Sequence, residues 1–156
     1  MEGRSLIADG GSDVAFLTPV MTPTDDPRGK DGPKRILLLD DEPAILAPMA
    51  RYFTKLGCSV DKAAEPEEAE ALIVHRRYDL AILDLQLTRF ANADGLEILR
   101  EIRKRDHWTS VIILSAYASP EMEEEAIRLG ADAVLRKPQP LPDLAQLALA
   151  LMGDRP

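Results

Sequence analysis

The feature that most constrains the fold is a short apolar run, Leu80-Ala81-Ile82-Leu83-Asp84-Leu85, which carries one carboxylate near its end. A run of this length is typical of a strand that is buried on both faces, as central strands of parallel sheets are. Asp84 is then expected at the carboxyl end of that strand. Because open parallel sheets bind ligands at the carboxyl ends of their strands, Asp84 is a candidate functional residue.

Four other segments also predict strands, and a helical pattern follows each of the five. The other predicted strands are residues 35–39, 58–63, 111–114 and 133–135, and the second of these alternates in polarity as an edge strand does. The predicted helices start at Pro43, Pro66, Asp94 with Glu97 as a capping pair, Ser119-Pro120 and near Pro142. At Pro48 we expect a local kink or a lost hydrogen bond to the Ala44 carbonyl rather than a break in the helix. The buried helix faces are expected to include Leu56 in the first helix and Leu72 in the second. The alternation predicts a doubly wound, five-stranded parallel α/β sheet with helices on both faces.

The chain divides into an N-terminal extension, residues 1–33, and one domain, residues 34–153. The extension holds five glycines and four prolines, and the 156-residue chain as a whole is 46% hydrophobic. One apolar island, Val14-Ala15-Phe16-Leu17, could dock on the domain or on a partner, but the composition favours a mobile extension.

Charge and cysteine usage exclude several classes of function. The net charge of −8 does not favour binding to nucleic acid or to an anionic membrane. Cys58 is the single cysteine, so the chain forms no internal disulfide and no thiolate zinc cluster. No secretory signal and no apolar stretch of membrane-spanning length occurs in this sequence, which predicts a cytoplasmic protein.

Polar side chains end four of the five predicted strands. Asp40 and Asp41 follow the first strand, Asp84 ends the third, Ser115 the fourth and Lys137 the fifth. Taken singly, each has an ordinary explanation as a helix cap, a turn residue or a surface charge. Together they converge on one edge of the sheet, which predicts a functional site there.

The residue types at this edge point to phosphoryl chemistry. Clustered carboxylates repel each other unless a cation compensates, and Mg²⁺ (or Mn²⁺) would be held by Asp41, Asp84 and the backbone carbonyl of Gln86. Lys137, the Ser115 hydroxyl and a nearby backbone N–H would bind phosphoryl oxygens. An aspartate in these surroundings is equipped to accept a phosphoryl group as a nucleophile.

The sequence resembles the receiver domain of two-component response regulators over residues 34–152. The motifs that carry the resemblance are Asp40-Asp41-Glu42-Pro43, the apolar strand ending at Asp84, Asp94-Gly95, Leu114-Ser115-Ala116, Gly130-Ala131-Asp132 and Lys137-Pro138. It implies a flavodoxin-like strand order 2-1-3-4-5 and phosphorylation of Asp84 by a sensor histidine kinase or a histidine phosphotransfer protein. It also implies that Asp40 and Asp41 form an acidic pocket for the metal ion, in which Asp40 acts on the metal through water. The phosphoryl group would be bound by Ser115, the Ala116 N–H and Lys137, and Pro138 is a candidate for a cis peptide bond.

Three positions depart from the family pattern. Thr88 stands where a proline is usual, in a loop after Asp84 that is about three residues longer than expected. Val134 occupies the position of the usual aromatic switch residue, so aromatic coupling is not predicted for this chain. Tyr117 places a ring near the site, and we hypothesise that it slows loss of the phosphoryl group by hindering water.

The resulting expectation is a stand-alone signalling domain that promotes only its own phosphorylation and dephosphorylation and is not otherwise an enzyme. Its output would be a changed affinity of the fourth helix, fifth strand and fifth helix for a protein target or a second copy. Neither His75 nor His107 lies at the predicted edge, so the donor histidine would belong to another protein. The alternatives are a magnesium-dependent phosphatase of the haloacid dehalogenase type, which normally needs a second acid two residues after the nucleophile, and a pseudo-receiver that only binds partners.

Overall fold

The computed structural model describes residues 32–85 and 95–153, which form five strands and five helices in strict alternation. The elements are β1 (Arg35–Leu39), α1 (Pro43–Lys55), β2 (Ser59–Ala63), α2 (Pro66–His75), β3 (Leu80–Asp84), α3 (Gly95–Arg105), β4 (Ser110–Ser115), α4 (Pro120–Arg128), β5 (Ala133–Arg136) and α5 (Leu141–Gly153). The strands form one parallel sheet in the order β2-β1-β3-β4-β5. The predicted doubly wound fold and its strand order 2-1-3-4-5 are confirmed.

The central strands are buried on both faces, as their continuous apolar sequences predict. Every residue of β3 and β4 is buried, whereas β2, at the edge of the sheet, is largely accessible. One hydrophobic core lies between the sheet and α2, α3 and α4, and a second lies between the sheet and α1 and α5. Alternate side chains of each central strand enter opposite cores, which explains why the positions between the first and last residues of these strands are apolar.

Local signals set most helix boundaries. Three helices begin with a proline, whose fixed φ and missing N–H suit the first helical position, and the Ser119 hydroxyl accepts a hydrogen bond from the Met122 N–H at 3.2 Å. The chain leaves α1 through Gly57, with φ of +93°, a conformation that glycine adopts without strain. Pro48 lies inside α1, which continues as one helix from Pro43 to Lys55.

Leu56 and Leu72, which were expected on buried helix faces, are not fully buried. Leu56 is 47% exposed because α1 ends at Lys55, so the helical periodicity no longer directs its side chain to the core. Leu72 is only partly buried, and it packs against the border of the core under α2.

Some predictions fall outside the described residues. The extension up to residue 31 does, and so do Gln86, Thr88 and Asp94, and with Asp94 the capping pair that it was expected to form with Glu97. Within the described residues, no helix has the length and apolar character needed to cross a membrane.

Candidate functional site

Three carboxylates meet at the carboxyl edge of the sheet. Asp40 and Asp41 follow β1, Asp84 is the last residue of β3, and one oxygen from each lies within 4.8 Å of the others. They meet because β1 and β3 are neighbours in register, with Leu39 opposite Leu83. Asp40 and Asp84 are buried, with 3% and 4% of their surfaces exposed, and Asp41 is partly buried.

The backbone around the β1–α1 turn holds Asp40 in place. The Asp40 N–H donates to the Ala63 carbonyl of β2 at 3.1 Å, and its Oδ1 accepts from the Glu42 N–H at 2.9 Å. One Asp40 oxygen is therefore committed to the turn, and the other faces the site.

Lys137 provides the positive charge. Its Nζ lies 2.7 Å from Asp40 Oδ2 and 3.2 Å from Asp84 Oδ2, and its side chain is 12% exposed. Glu42 Oε1 lies farther away, at 3.9 Å. Burial lowers the pKa of Lys137, but the hydrogen bond to Asp40 and the negative charge of Asp84 outweigh burial, so the pKa is raised above its ordinary value. The ammonium therefore remains charged and partly neutralises the carboxylates. The peptide bond from Lys137 to Pro138 is cis.

Ser115 accepts hydrogen bonds from the segment that follows β5 and from the segment that follows β4. It ends β4, is 1% exposed, and its carbonyl accepts the Lys137 N–H at 2.8 Å. Its Oγ accepts the Tyr117 N–H at 3.2 Å. Ala116 follows Ser115, the last residue of β4, and precedes Tyr117 in the chain.

The remaining candidates lie where the sequence places them along the chain. Tyr117 is 78% exposed, two residues after Ser115, and Val134 packs against the core beneath α2, α3 and α4. His75 ends α2 and His107 precedes β4, so both lie toward the opposite edge of the sheet from the carboxylates.

Gly95 is a site residue that sequence reasoning did not assign a role. Its N–H donates to the Leu85 carbonyl at 3.0 Å, and a Cβ at this position would overlap the backbone carbonyl oxygen of Asp84. The first turn of α3 therefore packs directly on the backbone of the strand that carries Asp84. The available signal was a glycine at the first position of a helix, where glycine has no propensity advantage.

The residues present fit a hard divalent cation. Carboxylate oxygens are the ligands that Mg²⁺ prefers, and three within 4.8 Å make a compact donor set. The sequence predicts Asp41 and Asp84 as direct ligands and Asp40 as acting through water, and the structure brings all three carboxylates into this cluster. Gln86, whose carbonyl was predicted as a further ligand, lies outside the described residues.

Comparison with known proteins identifies the family. Residues 36–149 match the family model of the response regulator receiver domain. The chain belongs to this family. Among solved structures, this receiver domain is similar to a receiver domain protein from Methanospirillum hungatei JF-1, with a TM-score of 0.74 and 30% identity, over 79% of this chain and 96% of that one. It is also similar to the receiver domain of the Francisella response regulator 1452, with a TM-score of 0.68 and 30% identity, over 77% and 97% of the two chains.

The curated relatives are longer proteins. The chain is 37% identical to the alginate biosynthesis transcriptional regulatory protein AlgB of Pseudomonas aeruginosa, over 74% of this chain and 25% of that protein. It is 37% identical to the transcriptional regulatory protein QseB of Escherichia coli O157:H7, over 76% and 52% of the two. The receiver domain thus spans between a quarter and about half of these relatives.

Proposed function

We propose that this receiver domain accepts a phosphoryl group on Asp84 from a phosphohistidine of a sensor kinase or a histidine phosphotransfer protein. One observation carries the proposal: the Lys137 ammonium contacts both Asp40 and Asp84 inside a cluster of three carboxylates. A cation at this position suits a reaction that brings an anionic phosphoryl group to an anionic acceptor.

In the proposed step an Oδ atom of Asp84 attacks phosphorus. The new P–O bond forms as the P–N bond to the donor imidazole breaks, and the electron pair of that bond returns to the imidazole nitrogen, which takes up a proton from solvent. Lys137, the Ser115 hydroxyl and the Ala116 N–H bind the equatorial oxygens. Held by the carboxylate cluster, Mg²⁺ would neutralise negative charge on the phosphoryl oxygens.

A groove beside Lys137 supports approach of a protein donor. It has a volume of about 450 Å³, and its lining includes Ile45 and Pro48 of α1, Pro138, and Leu141 of α5. This apolar lining suits the apolar side chains of a helical partner that presents its histidine over the carboxylates.

We further propose that output runs through protein binding on the face made by α4, β5 and α5, in the cytoplasm. Ile127 of α4 and Leu149 of α5 are 52% and 45% exposed on these helices. Phosphorylation would change the affinity of this face for a protein target or a second copy. The net charge of −8 argues against direct DNA binding by this chain, although the longer relatives are named as transcriptional regulators.

The test is the intact mass of the protein after incubation with Mg²⁺ and acetyl phosphate, a small phosphoryl donor. We expect one added phosphoryl group on the wild type and on Asp143→Asn, a control in which an exposed aspartate on α5 is changed. We expect none on Asp84→Asn and none when a chelator removes the metal. A phosphoryl group on Asp84→Asn would refute the assignment of the acceptor, and turnover of phosphate esters without an adduct would favour a phosphatase. Failure of acetyl phosphate and of phosphohistidine donors alike would favour a pseudo-receiver.

A further inference from the structure

A pocket of about 210 Å³ lies at the amino edge of the sheet, opposite the Asp84 site. It opens between the C-terminal ends of α2 and α3. Its buried hydrophobic lining residues are Ile73, Tyr78 and Ile102, and Val74 at its border is 53% exposed. An accessible concavity with an apolar floor suits an apolar side chain from a further segment.

The border of this pocket is basic. His75, Arg76, Arg77 and Arg105 line it, whereas Asp106 is its single acidic lining residue. The Asp106 carboxylate accepts hydrogen bonds from the backbone of the following loop and from a threonine hydroxyl, and is only 8% exposed. It therefore does little to offset the arginines at the surface.

The arginines differ in how far they are already neutralised. Arg76 lies 3.3 Å from Asp61, and Arg105 lies 3.1 Å from Glu101. Arg77 instead lies over the Trp108 ring, 5.1 Å from its centroid, and has no carboxylate partner among the residues that the structure describes. An anionic group near Arg77 would gain a charge interaction that the described residues of the domain do not provide.

The chain contains one segment with the complementary character. Residues 14–17, Val14-Ala15-Phe16-Leu17, are an apolar island that the proposed function does not use. Residues 5–27 around it contain four acids, Asp9, Asp13, Asp25 and Asp26, and no lysine, arginine or histidine. An apolar island within an acidic stretch matches an apolar pocket with a basic border.

The extension joins the domain next to this pocket. The Arg35 N–H donates to Asp79 Oδ2 at 2.9 Å, and the Asp79 N–H donates to the Arg35 carbonyl at 2.8 Å. Asp79 directly follows Tyr78 of the pocket floor. The residues between the island and β1 could span roughly 50 Å when extended, well beyond the distance across a small domain edge. Reach therefore does not limit docking.

We propose that residues 14–17 dock in this pocket of their own chain, with Asp9 and Asp13 facing its arginines. Docking there leaves the opposite edge of the sheet accessible, so the extension and the Asp84 site can be occupied together. The inference goes beyond the proposed function and does not depend on it.

Trp108 is the single tryptophan of the chain and reports on this border. The first test is acrylamide quenching of Trp108 fluorescence in the full-length wild type and in Phe16→Asp, with Val20→Asp as a matched control outside the island. Burying an aromatic side chain is favourable enough that Phe16→Asp should lower the docked-to-undocked ratio by roughly tenfold or more. We expect stronger quenching in Phe16→Asp and wild-type quenching in Val20→Asp. Equal quenching in all three proteins would overturn the proposal.

A second measurement locates the island directly. A nitroxide attached to the cysteine of Thr18→Cys should broaden the methyl NMR signals of Val74 and Ile102. The signals of Ile45, which lies toward the opposite edge of the sheet, should stay unchanged. The native Cys58 is buried and is not expected to be labelled. Broadening that disappears on dilution would mean that a second copy supplies the segment, against the proposal. Absence of broadening at Val74 and Ile102 would equally refute it.

Discussion

Gly95→Ala tests whether the start of α3 positions the strand that carries Asp84. A Cβ at residue 95 would overlap the Asp84 carbonyl oxygen and would lie 3.1 Å from the Asp84 carbonyl carbon and 3.3 Å from Leu83 Cβ. None of these atoms belongs to the end of a flexible side chain. The helix or the strand must therefore move to accommodate the methyl group.

The expected cost follows from this rigidity. Overpacking a well-packed site costs typically 1–3 kcal/mol, and we expect the upper end because the contacts are to backbone and Cβ atoms. The better helix propensity of alanine returns at most about 1 kcal/mol. The free energy of unfolding should therefore fall by about 2 kcal/mol, measured by urea denaturation.

Gly153→Ala is the matched control, because it also adds a methyl group to a helical glycine but meets nothing within 4 Å. We expect it to be as stable as the wild type or slightly more stable. Gly95→Ala should also be phosphorylated more slowly by acetyl phosphate, since a shift of α3 displaces the Asp84 backbone, whereas Gly153→Ala should react at the wild-type rate. Equal stability and equal rates for the two variants would refute the reasoning.

Three further predictions concern single side chains. Lys137→Met leaves the carboxylates of Asp40 and Asp84 without their ammonium partner. The free energy of unfolding measured in a chelator should therefore fall by roughly 3 kcal/mol, and part of this loss should be recovered when Mg²⁺ is added. An equal loss of stability in both buffers would argue against a metal ion at this cluster. Tyr117→Ala should lose its phosphoryl group faster than the wild type in a mass time course, and an unchanged rate would remove the proposed hindrance of water. Burial and the hydrogen bond to Asp61 raise the pKa of Tyr78 well above its ordinary value, so the folded state keeps a proton that the unfolded state loses near pH 10. Wild-type stability should therefore fall as the pH rises above about 10. Tyr78→Phe should lose less over that range in urea denaturation, and a parallel loss would contradict this assignment.

Much of the fold follows from patterns that are local in sequence. The apolar runs of β1, β3 and β4 predict buried parallel strands. Prolines predict where several helices begin, and glycines predict where helices end. Leu56 shows the limit of periodicity: it continues the apolar face of α1, but the helix ends one residue earlier and the side chain is exposed. A periodic pattern does not specify the residue at which the backbone leaves the helix.

The convergence of the site was predictable, whereas its individual contacts were not. Parallel strands bring their carboxyl ends to one edge, so Asp40, Asp84 and Lys137 were expected to be neighbours from their positions alone. That the ammonium lies between the two carboxylates depends on the register of four paired strands and on the path of the chain after β5.

Gly95 illustrates the same limit from the side of packing. Its sequence neighbourhood resembles an ordinary helix start, and its importance arises from a contact with Asp84, eleven residues earlier in the chain. A missing side chain leaves no hydrophobic or charge pattern, so only the distance between two backbones reveals why a larger residue does not fit. The polar side chains of the candidate site are thus visible in the sequence, but the backbone that carries Asp84 also packs against a residue that has no side chain.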